Sequence, residues 1–255
     1  MLDLHMHSTF SADARDGIGA MCRAAVAKGL RFICFTEHLD LDPADHGYGF
    51  FRRPAYLEAV TAARREFAPG LTILSGLEVG EPHEHPREFA AEARQGYDMI
   101  MGSIHMVYGP FVGEPQLREQ YDAAEIYDEY YRKMLAAVEH GGFDVLGHLD
   151  FPKRYLGEGY DAPSIDQILA ALVRQGIAIE INTSSLRKGL AEPMPGPALV
   201  ARYIRQGGER ITIGSDAHSV PEVGADIAAA AAIPGVRERL GYFRERRFVK
   251  IENFK

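Results

Sequence analysis

The chain predicts an α/β fold, a distorted (β/α)7 TIM-like barrel, and three observations predict it. Seven short apolar runs alternate with amphipathic stretches along the 255 residues, the pattern of a parallel sheet with helical crossovers. Histidine and carboxylate motifs fall at or just after the ends of those runs, which is the active-site face of such a barrel. Nearly every run carries one. An open doubly wound sheet gathers ligands only at a switch point, so contributions from so many strand ends require strands that converge on an axis. Seven units rather than eight imply an irregular, incomplete closure.

Each element has its own signal. Leu2–Met6, Arg31–Thr36, Leu71–Val79, Met99–Ile104, Asp144–Leu146, Ile177–Ile181 and Ile211–Gly214 are short, β-branched or Leu-rich, and bounded by Gly or polar residues, as strands are. The clearest helix begins at Asp122, where Asp122 and Glu125 have capping-box spacing. Ile126, Tyr130, Met134, Leu135 and Val138 then line one face, and Gly141 closes it after His140. A second helix runs from Pro163 to Gly176, with Ile165, Ile168, Leu169, Leu172 and Val173 as its stripe. Three longer connections, Leu39–Arg53, Gly80–Pro86 and Met106–Tyr121, are rich in Gly, Pro and aromatics and are expected to rise around the barrel mouth. No linker, low-complexity tract or repeat interrupts the pattern, so residues 1–255 are expected to form one barrel domain.

Bulk properties narrow the function. The chain is 46% hydrophobic, enough for a substantial core, and carries a formal charge of −8. No Lys/Arg run exceeds a pair, which argues against nucleic acid as a partner. No apolar run is long enough to span a bilayer. The N-terminal MLDLHMHS lacks a basic region followed by an apolar stretch, so no signal peptide is expected. Cys22 and Cys34, the two cysteines, fall in a helix pattern and a strand pattern and read as small core hydrophobes. A cytoplasmic protein acting on a small molecule is expected; the oligomeric state is left open.

Six of the ten histidines sit in five motifs, His5-Met-His7-Ser, Thr36-Glu37-His38, Gly102-Ser-Ile-His105, Gly147-His148-Leu-Asp150 and Ser215-Asp216-Ala-His218. Between them Gly76-Leu77-Glu78-Val79-Gly80 sets a carboxylate at a strand end. Residues i and i+2 of a strand point the same way, so His5 and His7 aim together, and Asp216 and His218 share that spacing. Singly, His38 or His148 reads as a hydrogen-bonded core histidine, Glu78 as a salt-bridge partner, and Asp13 or Asp150 as a turn cap. All five motifs at strand ends together read as a multinuclear centre, because six imidazoles and at least two carboxylates exceed the needs of one ion. Ligands of N and O type suit Zn²⁺, Mn²⁺ or Fe²⁺ equally. His46, His83, His85 and His140 lie in loops or at a helix end and read as solvated; His83 and His85 sit just beyond Glu78, and contact with a substrate is the alternative reading for that pair.

The motifs HMHS, TEH, GLEVG, GSIH, GHLD and SDAH, in this order, resemble the PHP (polymerase and histidinol phosphatase) family from Leu2 to about Ala225. The stretches Phe143–Asp150 with Lys153-Arg154-Tyr155, and Glu180-Ile-Asn-Thr-Ser-Ser-Leu-Arg187-Lys188-Gly189, are similar to its histidinol-phosphatase branch. The resemblance implies the PHP fold, three divalent metal ions, and hydrolysis of L-histidinol phosphate to L-histidinol and phosphate, a step of histidine biosynthesis. It implies one ion on His5, His7, Glu78 and Asp216, a second sharing Glu78 with His105 and His148, and a third on Asp13, His38 and His218. Asp13 departs from the family, where histidine is common, and so do Ser185 and Met194-Pro195-Gly196.

Three filled sites would outweigh three carboxylates and make a cationic trap for a phosphate dianion. Water between two ions about 3.5–4 Å apart is ionised near neutral pH and can attack phosphorus in line. Asp216, His218 and Arg154 are the residues expected at the reacting centre, with Arg154 as phosphate clamp. Ser184, Ser185, Arg52 and Arg53 are further phosphate candidates. Asp45, Glu81 and Glu114 are candidates for a substrate amine, and Tyr48, Phe50 or Phe51 for a ring. The competing readings are a PHP enzyme for another ester, such as a nucleotide or phosphotyrosine, an amidohydrolase, and a non-catalytic metal-stabilised module. Against the second, no strand-end lysine is available to bridge; against the third, no metal position is apolar.

Overall fold

A computed structural model describes residues 1–157 and 159–252. Seven strands form one sheet in sequential order, every pair parallel. They are β1 (Leu2–Met6), β2 (Phe32–Leu39), β3 (Thr72–Gly80), β4 (Met99–Ser103), β5 (Val145–Leu146), β6 (Ala178–Asn182) and β7 (Ile211–Gly214). The sheet curls into a nearly closed barrel. Its first and last strands are joined by an isolated parallel bridge between Met6 and Ala217. Two hydrogen bonds, His7 N–H to Ala217 O (2.8 Å) and Asp216 N–H to His5 O (2.8 Å), hold that seam.

Helices follow each strand. Between β1 and β4 lie α1 (Ile18–Ala27), α2 (Arg53–Phe67) and α3 (Pro86–Glu92). Next come α4 (Pro115–Gln120) and α5 (Ala123–His140), then α6 (Lys153–Leu156) and α7 (Ser164–Gln175). Last are α8 (Ser184–Arg187), α9 (Pro197–Arg205) and α10 (Ile227–Ala231). The Asp122 capping box forms as expected: Glu125 N–H donates to Asp122 Oδ1 and Asp122 N–H to Glu125 Oε2, each at 2.9 Å. Helix α7 ends on Gly176 in the left-handed region, where a Cβ would be strained. Met106–Tyr121 is less irregular than its composition suggests, since α4 lies within it and Met106 bridges Phe111.

Strands β1, β4, β5, β6 and β7 are buried along their whole length. One set of alternate side chains packs on helices while the other fills the barrel. The sequence pattern missed an antiparallel hairpin, β8 (Gly241–Arg244) and β9 (Arg247–Lys250). Its tip covers the amino-terminal end of the barrel. Arg246 Nε donates to Asp144 Oδ2, and Arg246 Nη2 donates to Gly142 O at 2.7 Å. The histidine and carboxylate motifs all lie at the opposite, carboxyl end. Among the described residues, no helix is long and apolar enough to cross a membrane.

Candidate metal centre

Register delivers the ligands. His38 on β2 sits directly beside Glu78 on β3. His105 and His148 each follow their strand by two residues, as Asp216 follows β7. Glu78 is the hub, its carboxylate buried. Oε2 lies 3.1 Å from His5 Nε2, 3.4 Å from His7 Nε2 and 3.3 Å from His38 Nδ1. Oε1 lies 2.8 Å from His148 Nε2 and 3.4 Å from His105 Nε2. Three groups, His5/His7/Asp216, Glu78/His105/His148 and His7/His38/His218, each place their donor atoms within 4.8 Å of one another. Asp13 joins the third, its Oδ2 3.1 Å from His218 Nε2 and 3.6 Å from His38 Nε2. Every expected ligand is therefore present at one end of the barrel. The ring of His7 faces two groups, where the resemblance had given it to one.

Whether these donors fit metal ions is decided by where the imidazole protons go. His5 Nδ1 lies 2.6 Å from Glu180 Oε1, and His218 Nδ1 3.0 Å from the Asp216 carbonyl. Both oxygens only accept, so each ring carries its proton on Nδ1. His7 Nδ1 meets Ser11 Oγ at 3.1 Å, and that hydroxyl gives its own proton to Glu37 Oε2 at 2.6 Å, so His7 is the donor. With both Nδ1 atoms protonated, His5 Nε2 and His7 Nε2 face each other as lone pairs 3.1 Å apart. Two acceptors at that distance, beside the Glu78 and Asp216 carboxylates, need a cation between them. The donor set fits divalent ions.

Without metal, protons fill that need. Burial opposes charge on His5, but Glu180, Glu78 and Asp216 outweigh it and raise its pKa well above the ordinary imidazole value. Burial likewise opposes His38, yet Asp13 and Glu78 raise it to about 10. Burial would raise Glu78 and Asp216, but His5 above all holds both well below the carboxylate range. A raised imidazole keeps its proton through neutral pH, and an ion can bind only when that proton leaves. Affinity must therefore rise with pH. Zinc added to metal-free protein at about pH 7 is expected to release protons, and its Kd to tighten between about pH 6 and about pH 8. A Kd measured by chelator competition that stays flat over that interval would contradict the raised histidines.

Above the groups opens a cavity of about 540 Å³ lined by His38, Glu78, His105, His148, Asp216 and His218. Arg154, on α6, reaches it as expected: Nη1 is 3.5 Å from Asp216 Oδ2 and the guanidinium lies 5.4 Å from the Phe151 ring centroid. The other phosphate candidates do not. Ser184 Oγ donates to Asn182 Oδ1 (2.6 Å) and Ser185 Oγ to Glu192 O (2.7 Å), because helix α8 turns both hydroxyls into the protein. Arg52 caps Gly49 O, and Arg53 pairs with Glu92 at 2.6 Å on the flank of α2. Tyr48 and Phe50 are exposed and Phe51 packs beside Tyr56, all outside the cavity lining. Asp45 does line it; Glu81 instead accepts the His105 and Met106 N–H groups, and Glu114 pairs with Gln116. His83 and His85 do not line it, whereas His46 does.

Several residues of the cavity escaped the sequence reading. Arg187 and Lys188 line it, as do Arg15, Asp40, Phe111, Phe151 and Tyr155. Arg187 Nη2 donates to Ser215 O (2.7 Å), while its buried Nε and Nη1 have no hydrogen-bond partner; Nε has only Glu222, 3.9 Å away. Unpaired guanidinium donors beside a metal centre are an anion site in waiting. The signal existed: Arg187 and Lys188 stand in the Glu180–Gly189 stretch. Glu37 and Glu180 were also legible, as carboxylates inside otherwise apolar strands, where a charge must be paired.

Fold and centre together define a barrel metalloprotein with a multinuclear histidine/carboxylate site. The chain belongs to the PHP domain family, whose profile matches residues 3–184. It is 30% identical over 256 residues to the probable histidinol-phosphatase of Deinococcus radiodurans, covering 97% of this chain and 98% of that protein. A histidinol-phosphatase of Lactococcus lactis is also 30% identical, over 85% of this chain and 84% of its own length. The crystal structure of histidinol phosphate phosphatase from Lactococcus lactis subsp. lactis, complexed with zinc, L-histidinol and phosphate, superposes with a TM-score of 0.81 at 27% identity, covering 98% of both chains. A Listeria monocytogenes structure, 18% identical with a TM-score of 0.73 over 90% of this chain and 99% of that one, shares the fold.

Proposed function

We infer that this chain is a histidinol-phosphatase, a metal-dependent phosphomonoesterase converting L-histidinol phosphate to L-histidinol and phosphate. One observation carries the reading: three His/carboxylate groups joined through Glu78 share a cavity with the guanidinium groups of Arg154 and Arg187. A relative of known structure that resembles this chain over nearly its whole length was crystallised with zinc, L-histidinol and phosphate. We assign His5, His7, Asp13, His38, Glu78, His105, His148, Asp216 and His218 as ligands of three divalent ions, and residues 1–255 as one catalytic barrel. The free, buried Cys22 and Cys34 suit a reducing compartment, and the cytoplasm is the location proposed.

Ions in these groups would acidify water and neutralise phosphoryl charge. The chain does the rest. Glu78 gathers five imidazoles, with members in each of the three groups, around one carboxylate. Arg154, braced on Phe151 and Asp216, presents fixed donors to the phosphate, and Arg187 supplies two more from the β7 side. Because both guanidinium groups are anchored before substrate arrives, little reorganisation is needed as charge redistributes. The aromatic wall of Phe111, Phe151 and Tyr155, packed edge to face, keeps water from that flank of the cavity.

Arg154→Ala is expected to lower kcat/KM by roughly 10²–10³-fold, as loss of a transition-state donor does, with metal content unchanged by elemental analysis. Side-by-side turnover of histidinol phosphate, AMP and phosphotyrosine, before and after chelation, tests the reading itself. Histidinol phosphate should dominate and turnover should vanish with the metal. Preference for AMP or phosphotyrosine would transfer the chain to a different PHP phosphoesterase.

A further inference from the structure

We propose that Glu180 is a positioning residue that ties two of the metal groups together, setting the proton of His5 with one oxygen and the backbone of His148 with the other. The inference rests on the metal centre but not on the identity of the substrate. Glu180 sits in the middle of β6, wholly buried, and is not one of the grouped donors. Oε1 lies 2.6 Å from His5 Nδ1, and Oε2 accepts the His148 N–H at 2.8 Å. His5 belongs to the group with His7 and Asp216, while His148 belongs to the group with Glu78 and His105.

Both contacts act on a feature the ligand role requires. The first leaves the His5 Nε2 lone pair facing the centre. The second holds His148 at φ +22°, outside the ordinary region for a residue with a Cβ. Asn182 Nδ2 adds a third donor to the carboxylate, on Oε2 at 3.3 Å. The surroundings are cut to fit this carboxylate. A Cβ on Gly214 would clash with the His5 side chain and lie 2.6 Å from Glu180 Oε1. On Gly147 it would lie 3.7 Å from Oε2 and 2.9 Å from Met101 Sδ. Glycine at 214 leaves the room in which the carboxylate reaches the His5 ring, while at 147 the close neighbour is Met101 and the carboxylate is in ordinary contact.

Glutamine has the same shape but one acceptor. In Glu180→Gln the amide NH2 must face either the His5 Nδ1–H or the His148 N–H, donor against donor. Zinc affinity of the variant, measured by chelator competition, is expected to fall by roughly 10–100-fold, with fewer ions retained per chain. In ¹⁵N-labelled, zinc-loaded wild-type protein, His5 is expected to show a downfield proton on Nδ1, and that signal should shift or vanish in Glu180→Gln. Wild-type zinc affinity and stoichiometry in the variant would overturn the proposal. So would a lowered Tm with unchanged zinc affinity, which is what a purely structural residue gives. If the variant does not fold, the wild-type spectrum decides: a His5 proton on Nε2 would end the idea. None of these readouts uses substrate, so failure to hydrolyse histidinol phosphate would strike the functional reading and leave this one standing.

Discussion

Replacing Glu78 with glutamine will empty the centre of metal and take phosphate release with it. The two Glu78 oxygens face five imidazoles, three on one side and two on the other. An amide of the same size removes the charge and turns one of those sides into a donor, which repels an ion. Loss of an outer-shell partner typically costs 10–100-fold in metal affinity or activity, and loss of the shared ligand should exceed that range. Metal analysis of the purified variant and its kcat check the prediction together. A variant that keeps both a full complement of ions and normal turnover would remove Glu78 from the hub.

Chelation comes next in size, and its effect reaches beyond catalysis. The ligands are mostly buried, and without ions His5 and His7 are left with facing lone pairs, or with protons held against the cost of burial. An ion present at a thousand times its Kd adds about 4 kcal/mol to the folded state. In a chain of this size each 1 kcal/mol moves Tm by about 2–4 °C. Stripping the metal should therefore abolish turnover and lower Tm by roughly 10 °C. Both should return when one divalent ion is restored. Scanning calorimetry with and without chelator gives the answer, and an unchanged Tm with undiminished activity would refute it.

Much of this was legible in the residues. All seven barrel strands and the capped helix α5 follow from periodicity and punctuation, and the strand-end motifs place most of the candidate ligands together, since strands that converge carry their end residues to one place; the full set of nine, Asp13 above all, comes only with the family resemblance. What stayed hidden depended on contacts that spacing does not encode. Ser184 and Ser185 sit where a phosphate donor would be sought, but a short helical turn rotates them onto Asn182 and Glu192. Arg52 and Arg53 lie in a mouth loop, yet the start of α2 carries Arg53 sideways to Glu92.

The β8–β9 hairpin lacked the Asn-Gly signal usual for a tight turn. Its tip is Glu245-Arg246, both at positive φ (+50° and +65°). That conformation is supported from outside the hairpin, where Asp98 accepts both N–H groups, at 3.2 and 2.9 Å. No local sequence rule contains Asp98.

The seam where β1 meets the end of β7 has its own meaning for how the molecule assembles. Asp3 accepts hydrogen bonds from Ser215, 212 residues away, so closing the ring joins distant parts of the chain at a large loss of chain freedom. His5 and His7 stand on one lip of that seam, Asp216 and His218 on the other. A cation gripped by both lips is then a clasp, and amide exchange at the Met6–Ala217 junction should quicken when the clasp is undone.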